Sequence, residues 1–150
     1  MDKIFIPVRG VPAPQGSKRH IGHGIMIENS KKVKPWRQDV RAAAIDHYEG
    51  DIIGRAVEVE IIFLFARPKS HYGTGKNADV LKPSAPKFCT SRGNGDIDKL
   101  ARSTLDGLSV SAGGSVLEDD SLVVELNTKK RYINKDELPG AYIAISCIYD

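Results

Sequence analysis

The feature that most constrains the fold is an apolar segment in the first half of the chain, residues 56–66. Its beginning alternates, with Glu58 and Glu60 between the apolar residues Val57, Val59 and Ile61, whereas residues 61–66 form a continuous apolar run. Alternation indicates a strand with one face in the core, and a continuous apolar run indicates burial on both faces. The segment therefore predicts a strand that is half exposed at its start and fully buried later.

Two helices are predicted from apolar residues that recur with the helical period. The clearer one covers residues 97–108, where apolar positions recur at i, i+3, i+4, i+7, i+8 and i+11. The other covers residues 35–49. Pro35 suits the first turn, where a missing N–H costs nothing, and Gly50 is a plausible end.

Shorter strands are predicted around these elements, at residues 3–9, 25–27, 122–126 and 141–149. Pro7 indicates that the first strand lies at a sheet edge, because proline cannot donate to a ladder. The order of elements predicts an α+β fold, with a small mixed β-sheet and two main helices. A length of 150 residues predicts a single domain, 1–150. Residues 67–95 read as an unusually long loop, which is more often functional than structural.

The charge is distributed unevenly along the chain. Basic residues dominate positions 9–37 and 69–92, whereas positions 96–125 are rich in aspartate and glutamate. Lysine and arginine bind phosphates, and carboxylates bind divalent cations, so this segregation suits a metal-dependent nuclease. A solvated surface with segregated charges is the alternative. Two cysteines make neither a disulfide framework nor a zinc pattern, and no apolar run could cross a membrane, so we expect a cytoplasmic protein.

Two acidic clusters are the candidate site. Asp96 and Asp98 stand at the start of the second predicted helix, and residues 118–120 form a second run before a strand. Each has a structural alternative, because aspartate favours helix N-caps and polar turns. If the helix and the strand are neighbours, Asp120 returns towards Asp96 and Asp98. Three carboxylates suit Mg²⁺, with Mn²⁺ as an alternative.

The stretch from Asp96 to Leu108, DIDKLARSTLDGL, resembles the signature of the RusA-type Holliday junction resolvases. The similarity continues through Glu118-Asp119-Asp120-Ser121 and Lys129-Lys130, and residues 10–19 are similar to the opening loop of that family. The resemblance implies a dimeric, Mg²⁺-dependent endonuclease that resolves four-way DNA junctions by paired symmetrical nicks. It implies that Asp96, Asp98 and one of Asp119 and Asp120, preferably Asp120, bind the metal.

The sequence departs from the family pattern at three places. Lys99 stands where the family often has asparagine, and Arg102 stands where a functional lysine is expected. Residues 109–116 form a longer segment than is usual. Arg102 keeps the positive charge but not the compact ammonium group of lysine, and we expect it to contact the phosphate. The candidate DNA-binding residues are Lys18, Arg19, Lys69, Lys76, Lys99 and Lys130.

Two other functions remain open at this point. The same carboxylates could serve a different branched-DNA or flap nuclease, or the chain could be a non-catalytic DNA-binding module with aspartates that only cap a helix. Symmetrical cutting needs two sites related by a two-fold axis, so a resolvase of this size is expected to be a homodimer. The expected setting is the cytoplasm of a bacterial or phage-infected host cell, away from membranes.

Overall fold

The computed structural model describes residues 3–16, 18–20, 26–28 and 31–149, with the backbone alone for 18–20 and 26–28. Two α-helices and six strands make up the described regular structure. The helices are α1 (Val33–His47) and α2 (Ile97–Leu108), and the strands are β1 (Ile4–Arg9), β2 (Lys18–His20), β3 (Met26–Glu28), β4 (Val57–Phe65), β5 (Val123–Tyr132) and β6 (Gly140–Cys147).

Four of the strands form one mixed sheet in the order β1-β6-β4-β5. Strand β6 runs antiparallel to both β1 and β4, whereas β4 and β5 run parallel. Strands β2 and β3 form a separate antiparallel pair. The predicted α+β class, with a small mixed sheet and two main helices, is confirmed. Pro7 lies in β1 at an edge of the sheet, as its missing N–H requires.

The core lies between one face of the sheet and the two helices. Alternate residues of β4 on that face, from Val57 to Phe65, are buried, and Trp36 of α1 is completely buried. The indole nitrogen of Trp36 donates to the Thr104 hydroxyl of α2 at 3.0 Å, so the buried polar atom of the tryptophan is satisfied. The helices are thereby fixed to each other as well as to the sheet.

Several element boundaries differ from those predicted. The first helix begins two residues before Pro35 and ends at His47, where Tyr48 turns into extended backbone. Strand β5 continues to Tyr132, well beyond the predicted 122–126. It pairs with the whole of β4, but it is an edge strand with many exposed side chains. Its polar residues therefore show no apolar alternation from which the full strand could be predicted. The long loop at 67–95 contains short 3₁₀ turns and an antiparallel bridge between Tyr72 and Leu81.

Neither α1 nor α2, the only α-helices among the described residues, is long and apolar enough to cross a bilayer.

The contact between α1 and α2 generates a prediction about stability. A Cβ on Gly107 would lie 2.8 Å from Cγ1 of Val40, so α2 can approach α1 closely only with glycine there. We expect Gly107→Ala to destabilise the fold, because overpacking costs about 1–3 kcal/mol against a gain of about 1 kcal/mol in helix propensity. Urea unfolding of Gly107→Ala, Val40→Ala and the double variant would measure this. The double variant should lose less stability than the two single losses added together, and simple additivity would contradict the close contact.

Candidate active site

The backbone that enters α2 is held tightly. Gly95, directly before Asp96, has a φ of +90°, and a Cβ there would lie 2.6 Å from a ring carbon of Pro14. Only glycine combines this conformation with so close an approach. The ammonium group of Lys130 on β5 donates to the Gly95 carbonyl at 2.7 Å. The sheet thus fixes the position at which Asp96 leaves the loop.

The loop after β1 is tied to the first turns of α2 by two further hydrogen bonds. The backbone N–H of Gln15 donates to the Lys99 carbonyl at 3.0 Å. The buried hydroxyl of Ser103 donates to the Ala13 carbonyl at 2.6 Å. These bonds join segments that are far apart in the sequence, so this part of the helix, which includes Asp98, is fixed relative to the β1 loop.

Asp96 and Asp98 are both exposed at this helix end. Asp96 occupies the N-cap position but makes no side-chain capping hydrogen bond. Its side chain is 74% exposed and lies 3.9 Å from the ammonium group of Lys99. The capping alternative therefore does not account for Asp96, and the carboxylate is accessible to a ligand.

The second acidic cluster forms a short 3₁₀ turn at Asp120–Leu122, in which Asp119 has a structural role. One oxygen of Asp119 accepts from the Ser111 hydroxyl at 2.7 Å, and the other accepts from the Ser121 N–H at 3.0 Å. Hydrogen bonds from the Ser121 side chain, from Ser111 and from the Ser121 backbone lower the pKa of Asp119 to about 2. Both oxygens of Asp119 are thus engaged within its own loop.

Asp120 is placed differently, because its turn packs against α2. Burial raises the pKa of Asp106 on α2, the Arg37 charge opposes that shift, and the negative charge of Asp120 adds to it. An electrostatic effect of this kind requires the carboxylates of Asp106 and Asp120 to be close. The acidic turn therefore packs against α2 near Asp106, ten residues after Asp96, which is roughly 15 Å along the helix axis.

Asp106 is the partly buried acid of this surface, and its ion pair is with Arg37 of α1 at 3.9 Å. Arg102 lies four residues before Asp106 on the same helix, but the described ion pairs do not include one between them. Arg102 is exposed and only contributes its charge, which lowers the pKa of Asp106. The Arg37 guanidinium also donates to the Gln15 side chain, which connects Asp106 to the β1 loop.

The carboxylates fit a hard divalent cation by their chemistry, since Asp96 and Asp98 offer exposed oxygens that no cap uses. In the described part of the chain, however, no three acidic, histidine or cysteine side chains are gathered closely enough to hold a metal ion. Carboxylates that face one another repel unless a cation lies between them, and Asp96 instead lies beside Lys99. The predicted three-carboxylate site stays a prediction.

The predicted DNA-binding residues lie in different settings. Lys69 and Lys76 are exposed on 3₁₀ turns of the long loop, and Lys99 lies beside Asp96. Lys130 is partly buried and anchors Gly95, so the structure gives it a supporting position at the site. Lys18 and Arg19 belong to β2, but their side chains lie outside the described residues.

Sequence reasoning missed the residues that position the acids. Arg37 reads as one of many basic residues on an amphipathic helix, and nothing local pairs it with Asp106. The position of Lys130 had a usable signal. Lys130 pairs with Phe63 of β4, whose side chain faces the core, so the two side chains lie on the same face of the sheet. A prediction of β5 at its full length would therefore have placed Lys130 on the face that the helices cover.

Exposed carboxylates at a helix start, with exposed lysines on the loop that precedes it, are the residue types that enzymes acting on phosphodiester bonds use. The family model described as endodeoxyribonuclease RusA matches residues 7–146, so the chain belongs to the RusA endodeoxyribonuclease family. The function of this family is the endonucleolytic resolution of Holliday junctions. A comparison with curated proteins found no match.

The hydrogen bonds of Asp119 generate a prediction about its ionisation. Replacing Ser121 by alanine should raise the pKa of Asp119 from about 2 towards 3.8, and Ser111→Ala should raise it less. The lowered pKa means that these bonds stabilise the fold above pH 3.8, and that this contribution is lost as the pH falls through about 2. NMR titration of the side-chain carboxyl carbon would measure the shift. Ser115→Ala is the control, and an unchanged pKa in both variants would contradict the assigned role.

Proposed function

We propose that the protein acts as a homodimer that nicks two strands of a four-way junction symmetrically, in a reaction that depends on Mg²⁺ or Mn²⁺. The observation that supports this most is the exposure of Asp96 and Asp98 at the start of α2, where the preceding backbone is fixed by Lys130 and the Asp96 side chain makes no capping hydrogen bond. Family membership supplies the endonuclease activity and the junction substrate. The geometry supplies candidates for the groups that do the cutting.

Asp96, Asp98 and Asp120 are the residues that would hold the cation. A bound divalent ion supplies an acidified water and neutralises charge that develops on the phosphate. Asp119, the other predicted ligand, is better suited to shaping the turn, because its two oxygens already accept hydrogen bonds from Ser111 and Ser121. Of these two aspartates, Asp120 is therefore the better candidate for the metal ligand.

The basic side chains have separate tasks in this proposal. Arg102 lies one turn beyond Asp98 on α2, and its exposed guanidinium can bind a phosphate oxygen with two donors. Lys99 can leave Asp96 for a phosphate once a cation neutralises the aspartate. Further contacts to the DNA backbone are assigned to Lys69 and Lys76 of the long loop and to Lys18 and Arg19 of β2.

Dimerisation follows from the substrate. A four-way junction has two-fold symmetry, and one acidic surface on each subunit yields paired cuts only when two subunits are related by the same axis. The cytoplasm of a bacterial or phage-infected cell, where recombining DNA is found, is the setting in which we expect this activity.

Asp98→Asn provides the central test of this function. With a synthetic mobile four-way junction and Mg²⁺, we expect paired symmetrical nicks from the wild type and a loss of at least about 100-fold in the variant. The variant should bind the junction as tightly or more tightly, because a charge that repels phosphate is removed. Gel assays of nicking and binding measure both, and the matched control is Asp46→Asn, which changes an exposed aspartate on α1.

Three outcomes would contradict the proposal. Equal or faster cutting of three-way or flap substrates would favour a different branched-DNA nuclease. Tight binding without nicking in Mg²⁺ or Mn²⁺ would favour a DNA-binding module. Loss of junction binding in Asp98→Asn, with no loss in Asp46→Asn, would make Asp98 a structural residue.

The different roles of the two neighbouring aspartates give a second prediction. Asp120→Ala should reduce nicking by about 100-fold or more with little change in melting temperature, because we propose that this carboxylate binds the cation and does not shape the turn. Asp119→Ala should lower the melting temperature, because the turn loses its cap, and should reduce nicking less. Thermal unfolding and initial nicking rates of both variants test this, and the reverse pattern would assign the metal to Asp119.

A further inference from the structure

A cavity with a volume of about 560 Å³, lined by described residues, lies beside the acidic helix end. Its walls come from the β1 loop, from the end of β4 and from the residues just before Asp96. Pro12, Pro14 and Phe65 give it apolar surfaces, Asn94 gives it an amide, and Lys31 and Lys32 stand at its border. We refer to it as the loop pocket.

The loop pocket is rigidly connected to the candidate active site. Gly95, which separates Asn94 from Asp96, packs directly against Pro14 of the pocket wall. The same wall is joined to α2 by the hydrogen bond from Ser103 to the Ala13 carbonyl. A group seated in the pocket would therefore be held at a fixed position next to the backbone that carries Asp96 and Asp98.

The chemistry of the pocket suits one nucleotide of DNA. Its apolar walls can cover the faces of a base, and its volume is within the range of small-molecule sites. The buried Cys89 thiol donates to the side-chain oxygen of Asn94 at 3.1 Å, which leaves the amide NH₂ to donate to a base edge. Lys31 and Lys32 are exposed and suit the adjoining phosphates, and the described lining residues include no acidic side chain.

We propose that the loop pocket receives an unstacked base of the junction strand next to the phosphate that is cut. This inference rests on the proposed function and adds a means of selecting the substrate. Turning a base out of a duplex breaks its pairing and stacking, and the free-energy cost is least where these are already interrupted. Bases beside the exchange point of a four-way junction are in that situation. The pocket thereby favours cutting at the branch over cutting in a continuous duplex.

The proposal is tested by filling the pocket and by observing the base. Ala66 and Val11 line the pocket and are exposed, so a tryptophan at either position can occupy it without replacing a core residue. The matched control is Ala42→Trp, at an exposed position on α1 that does not line the pocket. Junctions that carry 2-aminopurine at successive positions beside the exchange point report unstacking as increased fluorescence.

In metal-free buffer, we expect fluorescence to increase at a position next to the nicking site when wild type or Ala42→Trp binds. Ala66→Trp should abolish the increase and weaken junction binding by about 10-fold, the loss expected when one base contact is removed. Val11→Trp should reproduce both effects, so that a folding defect in one variant does not decide the result. No increase with bound wild type, or an equal increase with both plugged variants, would overturn the proposal.

Nicking of the same junctions in Mg²⁺ separates this proposal from the function on which it rests. Nicking by the wild type without an increase in fluorescence overturns the pocket and supports the resolvase function. An increase in fluorescence without nicking supports the pocket and overturns the proposed cleavage. Absence of both overturns both.

Discussion

The hydrogen bonds that fix the start of α2 are the interactions on which the site depends. Two neighbouring aspartates at an exposed helix end repel each other, and a helix end without a side-chain cap frays easily. Here the ammonium group of Lys130 holds the carbonyl before Asp96, and Ser103 holds the β1 loop. Because these partners come from a strand and a loop far away in the sequence, the position of this helix end relative to the sheet and the β1 loop is set by the tertiary fold.

The five aspartates on or near α2 differ in what surrounds them, and this difference indicates their roles. Asp119 is fully engaged by serine donors, and Asp106 is partly buried beside Arg37. Asp96 has no partner closer than the Lys99 ammonium group at 3.9 Å among the described ion pairs. Hydrogen bonding and burial thus give Asp119 and Asp106 structural roles, whereas the oxygens of Asp96 remain exposed and accessible to a cation.

Much of the fold was predictable because its elements carry strong periodic patterns. The bounds predicted for α2 match the observed Ile97–Leu108, since this helix has an uninterrupted apolar stripe. Strand β5 was underestimated, because an edge strand exposed to water needs few apolar residues and its polar second half carries no periodic signal. The start of α1 was placed two residues late, since Pro35 marks a first turn but does not say which of its positions it occupies.

The sequence by itself determined the class of fold, the aspartates of the candidate site and the family, because these depend on residue order and local period. Only the tertiary structure decided that Asp119 caps its own turn, that Arg37 pairs with Asp106 and that Lys130 supports Asp96 from the sheet. It also decided where the loop pocket lies, between segments that the sequence gives no reason to join. The physical reason is that a side chain's partner is chosen by distance in space, and no local pattern encodes that distance.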